Sequence, residues 1–378
     1  MTPVVIAGYA RSPFHFANKG GLTRVRPDDL VAGVVKALVE RTKVNPADIE
    51  DLLLGCAFPE GEQGFNMGRI VVLLAGLPLT IGGATVNRYC GSSMEAIHMA
   101  AGAIQMGAGE VFIAAGVESM TRVPMMGYNP LPNPIFQQTM PGALASMGQT
   151  AENLANKYQI TRAQQEAFAA ASHQKAAAAQ AAGKLKDEIV PVQTKAGIVD
   201  ADGCIRPDTT AESLGGLKPA FDPAGSVTAG TSSPLTDGAS AVLVCSEEYA
   251  TKHGLPILAR IKSIAKSGCL PDIMGIGPVD ATRKALKRAG LTVDDLDIIE
   301  LNEAFASQAL ACIHDLGLPL EKINLDGGAI ALGHPLGGTG ARITGKAASL
   351  LKREGKRYAL ATQCIGGGQG IATILEAV

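Results

Sequence analysis

Two distant segments of the chain share one order of polar and apolar positions. Residues 36–55 (KALVERTKVNPADIEDLLLG) and residues 284–302 (KALKRAGLTVDDLDIIELN) each predict an amphipathic helix, a short turn, an acidic patch and an apolar strand. The second segment follows the first by about 247 residues. At nearly the same offset, helices starting after residue 90 and at residue 342 lead into the apolar runs GEVFIAAG and GKRYALAT. Two matched pairs at one offset indicate a duplicated unit of strands and helices.

Strands alternate with helices throughout both units, and several of the strands are apolar at every position. Strands of that kind are typical of α/β proteins in which helices cover both faces of a sheet, and we expect them to pair mostly in parallel. The repeat divides the chain into an N-terminal half, residues 1–256, and a C-terminal half, residues 257–378. The two halves are expected to stack so that each covers the other.

A segment of different composition interrupts the first half at about residues 119–234. It begins with a Met-, Pro- and Asn-rich stretch, continues with Ala-rich helices and ends in a region rich in Gly and Pro. The second half has no counterpart to it. A long polar insertion of this kind is typical of a lid or a substrate-gripping domain, although most of the Ala-rich part also fits an ordinary solvated surface.

Composition narrows the class of protein. With 378 residues, 47% of them hydrophobic, the chain is long enough to bury large cores. A formal net charge of −2, with both signs scattered along the chain, gives no basic face for nucleic acid, and no apolar run reaches the length of a membrane helix. We therefore expect no nucleic-acid partner and no membrane partner.

The seven cysteines are an odd number at wide spacing with no CxxC pair, which fits neither a disulfide framework nor a metal site. They are expected to be free thiols in a reducing compartment. The N-terminal run MTPVVIAGYARSPF lacks the basic and long apolar regions of a secretory signal. We expect a cytoplasmic protein; a mitochondrial matrix location after removal of a transit peptide is the alternative.

Cys90 stands where a strand-like stretch turns into a predicted helix, in VNRYCGSSMEAIHMA. A single cysteine is commonly a small buried hydrophobe. The small residues after it favour a tight turn, however, and the apolar spacing from Met94 onward predicts a helix. At a helix start, unpaired N–H groups and the helix dipole favour a thiolate, so we expect a lowered pKa for Cys90.

Three loops of the second half carry residues that could act with this cysteine. His334 lies in the glycine-dense loop GGAIALGHPLGGTGAR, where a loop-structuring role and a catalytic role are both open. Cys364 follows an apolar strand and precedes three glycines, which allow a ligand to approach the backbone closely. Asn302 and Glu303 follow the apolar strand LDIIEL, and sites of α/β proteins commonly lie at such strand ends.

On these motifs the sequence resembles the thiolase family along essentially its whole length. The blocks VNRYCGSS, NEAF, GGAIALGHPLGGTGAR and CIGGGQG match the family's signatures in the family's order. The resemblance implies a five-layered αβαβα fold built from two similar halves, with an inserted loop domain that grips coenzyme A. It also implies a homodimer or homotetramer, and membership of a β-oxidation complex is possible.

The resemblance also implies a role for each of the site residues. Cys90 would be the nucleophile that takes the acyl group, and His334 the base that activates it. Cys364 would be the acid and base at the α-carbon of acetyl-CoA, with a pKa expected near the working pH. Asn302 would hold a water that stabilises the enolate oxygen together with His334. The backbone N–H groups of Cys90 and Gly366 would stabilise the oxyanion of the acyl-transfer intermediate.

The implied reaction is the cleavage of a 3-ketoacyl-CoA by coenzyme A, through an acyl-cysteine intermediate and in a reversible manner. Coenzyme A and acyl-CoA are the partners; coenzyme A is a co-substrate, and no permanently bound cofactor or metal is expected. By carry-over, Arg206 would contact the nucleotide end of coenzyme A, although an ordinary surface charge is also open for it. Phe221, Ala229 and Ser233 would line the pantetheine arm.

Departures from the family pattern bear on the substrate. The acetoacetyl-CoA-forming branch usually has histidine before Met-Gly, where this chain has Ser146. The segments EQGFNMGR, GTSSPLTDGAS and MGIGPV resemble the degradative, β-oxidation branch. We therefore expect acyl chains longer than four carbons, with the acetoacetyl-CoA-forming enzyme as the alternative.

Three further alternatives fit less well. A condensing enzyme of the ketoacyl synthase type would use one cysteine and two histidines, and Cys364 argues against it. A cysteine hydrolase would leave the second cysteine unexplained and lacks an evident carboxylate partner for the histidine. A catalytically silent acyl-CoA-binding subunit would not need the complete set of site residues, which are Cys90, Asn302, His334 and Cys364.

Overall fold

The computed structural model describes residues 2–378. Its strands are β1 (Val4–Arg11), β2 (His15–Phe16), β3 (Asp51–Gly55), β4 (Gly82–Val86), β5 (Val111–Ser119), β6 (Val192–Thr194), β7 (Gly197–Val199), β8 (Thr236–Ser246), β9 (Ala259–Gly268), β10 (Ile298–Leu301), β11 (Tyr358–Ile365) and β12 (Gln369–Glu376). Its α-helices are α1 (Pro27–Thr42), α2 (Met67–Leu74), α3 (Ser92–Gln105), α4 (Phe136–Thr139), α5 (Met147–Lys157), α6 (Arg162–Ala181), α7 (Ala211–Gly215), α8 (Glu247–Lys252), α9 (Gly277–Ala289), α10 (Ala306–Leu316), α11 (Ala329–Leu332) and α12 (Leu336–Glu354). Among these residues, every helix is too short or too polar to cross a lipid bilayer.

Ten of the strands lie in the order β10-β11-β12-β9-β1-β8-β5-β3-β4, with β2 paired beside β8, whereas β6 and β7 form a separate antiparallel pair. The first four belong to the C-terminal part of the chain and the last five to the N-terminal part. Only two residue pairs join them, Val5 with Arg260 and Ile6 with Ala259. The two parts are therefore separate sheets in all but this narrow junction.

Strands β1, β5 and β8 of the N-terminal sheet are buried at every position, and because successive side chains point to opposite sides, both faces of these strands are covered. On β5, Ile113 packs in a cluster with Leu38 of α1. The next side chain, Phe112, packs on the other face in a cluster with Ile97 of α3 and Ile343 of α12. The N-terminal sheet thus lies between an outer helix layer and a central one.

The C-terminal sheet is covered in the same manner. Ile371 of β12 joins the central cluster that contains α3 and α12, whereas Ile374 packs outward with Leu286 of α9 and Ile313 of α10. The order of layers is therefore α1 and α2, the N-terminal sheet, α3 and α12, the C-terminal sheet, and α9 and α10. This arrangement confirms the expected five-layered αβαβα fold.

The expectation of mostly parallel sheets is wrong. Strands β3, β4 and β5 pair in parallel, as do β10 and β11, but β8 is antiparallel to β1 and β5, and β12 is antiparallel to β9 and β11. A continuously apolar strand shows that both faces are covered, and helices cover both faces here whatever the strand direction. The sequence pattern therefore carried no information on direction.

Candidate active site

Cys90 lies in a tight turn between β4 and α3. Tyr89 adopts a left-handed backbone conformation with φ of +43°, which is uncommon for a bulky residue. The Ser92 hydroxyl stabilises the turn by donating to the Tyr89 carbonyl at 2.6 Å and by accepting from the Arg88 N–H at 2.9 Å. Helix α3 begins at Ser92, so the predicted strand-to-helix turn at Cys90 is confirmed.

The expected lowering of the Cys90 pKa is wrong. The side chain of Cys90 packs against Ala57, Met120 and Leu336, and the surrounding protein removes most of the water that would stabilise a thiolate. Burial, reinforced by the negative charge of Glu118, raises the pKa of the thiol to about 11, although two backbone N–H groups act in the opposite direction. Cys90 therefore rests as a thiol and needs a base to become a nucleophile.

The two backbone N–H groups that act on the Cys90 sulfur are its own and that of Gly366. They belong to different halves of the chain, and both are the donors expected for the oxyanion. Their common approach to the sulfur places two hydrogen-bond donors beside the atom that would form the new bond.

His334 is a neutral base whose tautomer follows from its hydrogen bonds. Its Nδ1 lies 2.6 Å from the Thr339 hydroxyl, and that hydroxyl gives its own proton to the Pro335 carbonyl at 3.0 Å. With the hydroxyl proton on the Pro335 carbonyl, the Thr339 oxygen accepts, which assigns the ring proton to Nδ1 and leaves Nε2 unprotonated. Burial and then the charge of Arg342 lower the pKa of His334 to about 3, so the ring stays neutral.

Asn302 follows β10 directly and lies beside this histidine. Its Nδ2 is 3.4 Å from Nε2 of His334, and its backbone N–H donates to the Thr362 carbonyl of β11 at 3.0 Å. Its Oδ1 is buried and has no hydrogen-bond partner within residues 2–378. A buried amide oxygen of this kind calls for a donor, and a water or a ligand would supply one.

The neighbouring Glu303 has a structural environment. Its carboxylate accepts from the Ser172 hydroxyl at 2.6 Å, the Asn324 amide at 2.7 Å and the Ile330 N–H at 3.2 Å. These bonds tie the loop after β10 to α6 and α11, and so they fix the position of Asn302.

Cys364 is the last but one residue of β11 and is buried in a cluster with Met274, Ala304 and Phe305. Burial and then the proximity of Cys90 raise its pKa well above the ordinary value of a thiol. The expectation of a pKa near the working pH is therefore wrong, because the side chains of this cluster bury the thiol. The mutual influence of the two thiols places Cys90 and Cys364 at one site.

Three glycines turn the chain from β11 into β12. Gly367 and Gly368 have φ values of +80° and +84°, and a side chain at Gly368 would collide with the Cys269 carbonyl. A methyl group at Gly366 would lie 3.7 Å from Sδ of Met147 and 3.8 Å from the Tyr89 ring. The turn therefore faces both the Cys90 turn and α5.

Two hydrogen bonds that sequence reasoning missed join the Cys90 turn to this hairpin. The Gln363 amide donates to the Cys90 carbonyl, and the Arg88 guanidinium donates to the Gln369 side chain at 2.8 Å. Thr339 and Glu118 were also missed. Gln363 and Glu118 had a signal, since each is a polar residue inside an apolar strand; Thr339 had none that separates it from other helix threonines.

The residues expected along the pantetheine arm lie beside the loop after β10. The half-exposed ring of Phe221 meets Phe305 edge-on, with 5.8 Å between centroids. The Ser233 N–H donates to the Ala304 carbonyl at 2.9 Å. Ala229 is exposed at the start of a short 3-10 helix, Ala229–Thr231. The structure thus brings Phe221 and Ser233 into contact with the loop that carries Asn302.

Arg206 has different surroundings. Its exposed guanidinium lies 5.4 Å above the ring of Phe16, and its backbone N–H donates to His173 at 3.1 Å. These contacts are with β2 and α6, and they do not join Arg206 to the loop beside Phe221.

Comparison with known proteins shows matches over nearly the whole chain. Residues 4–248 match the family model described as the thiolase N-terminal domain, and residues 255–377 match the thiolase C-terminal domain. The chain is 50% identical to the 3-ketoacyl-CoA thiolase of Vibrio vulnificus (strain YJ016) over 386 residues, which cover 100% of both proteins. It is 48% identical to the 3-ketoacyl-CoA thiolase of Bacillus subtilis (strain 168) over 389 residues, again 100% of both.

Proposed function

The chain belongs to the thiolase family, and from this premise we propose that it cleaves 3-ketoacyl-CoA with coenzyme A. The products are acetyl-CoA and a shortened acyl-CoA, so the enzyme is an acetyl-CoA C-acyltransferase. The full-length identity of 48–50% to two proteins named 3-ketoacyl-CoA thiolase supports the degradative branch.

The observation that carries the proposal is the hydrogen bonding of His334. A buried imidazole with Nδ1 fixed on Thr339 and an unprotonated Nε2, which meets only a long contact of 3.4 Å from the Asn302 amide within residues 2–378, is a base. It lies in one small region with Asn302 and with two thiols that keep their protons. Cleavage of a carbon–carbon bond next to a ketone needs a nucleophile, a base, an acid and stabilised oxyanions, and these residues can provide each of them.

In the first step His334 takes the proton of Cys90, and the sulfur attacks the 3-keto carbon. The ketone oxygen becomes an oxyanion, which the N–H groups of Cys90 and Gly366 stabilise. A pocket of this type contributes about 3–4 kcal/mol to the lowering of a barrier. The raised pKa of Cys90 means that proton removal and attack go together.

In the second step the bond between the α- and β-carbons breaks. The oxyanion becomes the carbonyl of an acyl thioester on Cys90, and the bonding electron pair passes to the enolate of acetyl-CoA. A water held by Asn302, together with protonated His334, stabilises the enolate oxygen. Cys364 gives its proton to the α-carbon, a role that suits a thiol whose pKa is raised.

In the third step the coenzyme A thiol gives its proton to the Cys364 thiolate and attacks the acyl thioester. The shortened acyl-CoA leaves, and Cys90 recovers its proton from His334. All groups return to their resting protonation states, and the steps can run in reverse as a condensation.

Coenzyme A enters as a co-substrate in this proposal. Phe221, Ala229 and Ser233 line the pantetheine arm, supported by the contacts of Phe221 and Ser233 with the loop after β10. Arg206 binds the nucleotide end, which its exposed charge supports.

The working assembly is a homodimer or a homotetramer in our proposal. Strand β4 is the last strand of its sheet, and beside it Leu73 and Leu74 of α2 and Met99 of α3 are exposed. An open strand edge flanked by apolar side chains favours pairing with a second copy. A cytoplasmic location and membership of a β-oxidation complex stay predictions.

The test is a series of 3-ketoacyl-CoA substrates from four to twelve carbons, with coenzyme A as the second substrate. The degradative proposal expects kcat/KM to rise from four carbons toward six and eight. A higher value for acetoacetyl-CoA than for both longer substrates would place the enzyme in the acetoacetyl-CoA branch instead. Absence of cleavage with every substrate would overturn the proposed activity.

A further inference from the structure

Glu118, at the C-terminal end of β5, is a buried carboxylate that takes no part in the proposed steps. One of its oxygens accepts from the N–H groups of Ala57 and Gly337, both at 2.9 Å. The other accepts from the Phe58 N–H at 3.2 Å and the Gln63 amide at 2.8 Å. The Cys56 thiol lies 3.7 Å from this second oxygen as a further donor. Burial raises the pKa of Glu118, and the four N–H donors act in the opposite direction by stabilising the ionised carboxylate.

The four donors come from segments that surround the nucleophile. Ala57 lies in the loop after β3, and Gly337 is the second residue of α12, the helix that starts directly after His334. The side chain of Cys90 packs against Ala57, Met120 and Leu336. Ala57 is itself bonded to Glu118, Leu336 precedes the bonded Gly337, and Met120 follows Glu118 by two residues.

The carboxylate also acts on the nucleophile through its charge. Two titratable groups interact electrostatically with Cys90. They are the Glu118 carboxylate of β5 and the Cys364 thiol of β11. A negative charge close to a thiol opposes formation of the thiolate, so Glu118 raises the pKa of Cys90 beyond the effect of burial alone.

We propose that Glu118 is a positioning residue that fixes the Cys90 pocket against the start of α12 and keeps Cys90 a thiol until His334 takes its proton. The loop that carries His334 and the turn that carries Cys90 come from different halves of the chain, and one carboxylate sets their separation. Its charge also protects the resting nucleophile from adventitious alkylation. The assignment rests on the proposed function for the identity of the nucleophile and the base.

Two substitutions separate the two effects of Glu118. Glu118→Gln keeps the size of the side chain but removes its charge and two acceptor positions. Glu118→Asp keeps the charge but withdraws the carboxylate from its donors. Alkylation of Cys90 by iodoacetamide, followed by mass spectrometry of the Cys90 peptide between pH 7 and pH 11, reports the charge, because the thiolate is the species that reacts. Steady-state kcat reports the geometry.

For Glu118→Gln we expect the alkylation midpoint of Cys90 to fall by roughly one pH unit, which makes alkylation at pH 8 about tenfold faster. For Glu118→Asp we expect a midpoint close to that of the wild type. Both variants should lose kcat by about 10- to 100-fold, with a change in KM of less than about threefold, because displaced reacting groups slow chemistry more than binding.

Glu152→Gln is the matched control for alkylation. Glu152 is also a buried carboxylate that holds backbone N–H groups, those of Ser226 and Val227, but its charge is not among those acting on Cys90. In the Glu152→Gln variant, the pH midpoint of Cys90 alkylation should equal that of the wild type.

An unchanged Cys90 midpoint in folded Glu118→Gln overturns the charge role. If that variant does not fold, Glu118→Asp decides the geometric role, and wild-type kcat in this variant overturns the proposal. Alkylation needs no substrate, so it tests Glu118 even if the proposed activity is absent.

Discussion

The two halves of the molecule differ most in a single connection. In the N-terminal half, strand β5 is followed by residues 120–235 before the chain returns to the sheet as β8. In the C-terminal half, the corresponding strand β11 is followed by Gly366, Gly367 and Gly368 and then directly by β12. Equivalent strands are thus joined by a domain in one half and by a three-residue turn in the other.

The long connection of one half covers the site loops of the other. Met147 of α5 packs against the cluster that contains Cys364, and Ser172 of α6 donates to the buried Glu303 beside Asn302. Because the glycine turn is short and has no side chains, α5 of the insertion can pack against Cys364 and Gly366. The comparison teaches that two halves with the same strand–helix order differ at their strand ends, and in the proposed mechanism one half supplies the nucleophile and the other supplies the acid and base groups.

Removing the thiol of Cys90, which the N-terminal half contributes to the site, should have the largest effect on activity. Cys90→Ala should lower thiolysis by at least about 10⁴-fold, because Cys90 is the proposed acyl acceptor and the proposed mechanism uses the neighbouring thiol, Cys364, only to transfer protons. Intact-mass analysis after incubation with acetyl-CoA should show no acetylation of the variant. Cys245→Ala, which changes a cysteine buried in the outer core, is the control and should be acetylated normally. Acetylation mapped to a different cysteine in the wild type would contradict the assignment.

Removing a contribution of the C-terminal half should stop only part of the reaction. Cys364→Ala should still accept an acetyl group from acetyl-CoA on Cys90, since that step is acyl transfer. It should fail to exchange the α-protons of acetyl-CoA with deuterium, with a loss on the order of 10³-fold, because the α-carbon needs this acid and base, whereas the coenzyme A thiol can exchange its proton with solvent when Cys364 is absent. Nuclear magnetic resonance of acetyl-CoA in heavy water measures the exchange. Exchange at the wild-type rate would remove Cys364 from the mechanism.

Among residues 2–378, the N-terminal half buries two histidines in a neutral state, His98 and His173, and the C-terminal half buries one, His334, which predicts acid lability. Burial lowers the pKa of His98, which meets Thr373, and of His334 to about 3, below the value of about 6.5 in an unfolded chain. Between these values the unfolded chain binds protons that the folded chain does not. The stability that the neutral histidines contribute is therefore fully present above pH 6.5 and is lost as the pH falls toward 3.

At pH 5, His98 and His334 should each lower the free energy of unfolding by about 2 kcal/mol relative to pH 7, and His173, whose pKa burial lowers to about 4, should add to the loss. Urea denaturation at both pH values measures the loss, and His98→Asn should reduce it. The kcat/KM profile of the folded enzyme should show no histidine-type midpoint, because His334 stays a free base. A midpoint between pH 6 and pH 7 at constant folded fraction would contradict the neutral state of His334.

Local features of the site could be predicted from sequence because they depend on neighbours along the chain. The small residues after Cys90 and the apolar spacing from Met94 fixed the start of α3, and the strand–helix repeat predicted the duplicated frame. The family motifs then implied the five layers, and the family match confirms that resemblance. The division at residues 256 and 257 and the insertion bounds of 119–234 stay predictions.

Strand direction, pKa values and contacts between the halves could not be predicted. Apolar strands look alike in parallel and antiparallel pairs when helices cover both faces. The helix start at Cys90 argued for a low pKa, but burial by Ala57, Met120 and Leu336 outweighs it, and these neighbours come together only in the fold. The bond from Gln363 to the Cys90 carbonyl joins positions 273 residues apart.

The smallest effect is expected in the insertion, at Ser146. Its hydroxyl accepts from the Gln149 N–H at 3.2 Å and so caps α5, whereas the next residue, Met147, is the one that faces Cys364 and Gly366. Ser146→His would place a larger ring at the start of α5. We expect it to shift the ratio of kcat/KM between eight-carbon and four-carbon substrates toward acetoacetyl-CoA by about 2- to 10-fold, since a pocket that loses room for one methylene changes discrimination by an amount of this order.

Ser146→Asn is the matched control for this shift, because asparagine also caps a helix but is smaller than histidine. It should keep the wild-type chain-length profile, and both variants should be acetylated on Cys90 as the wild type is. If Ser146→His leaves the profile unchanged, then the departure from the histidine of the acetoacetyl-CoA branch does not set chain length. The cover that the insertion places over the C-terminal half would then select substrates through Met147, the side chain that packs in the Cys364 cluster.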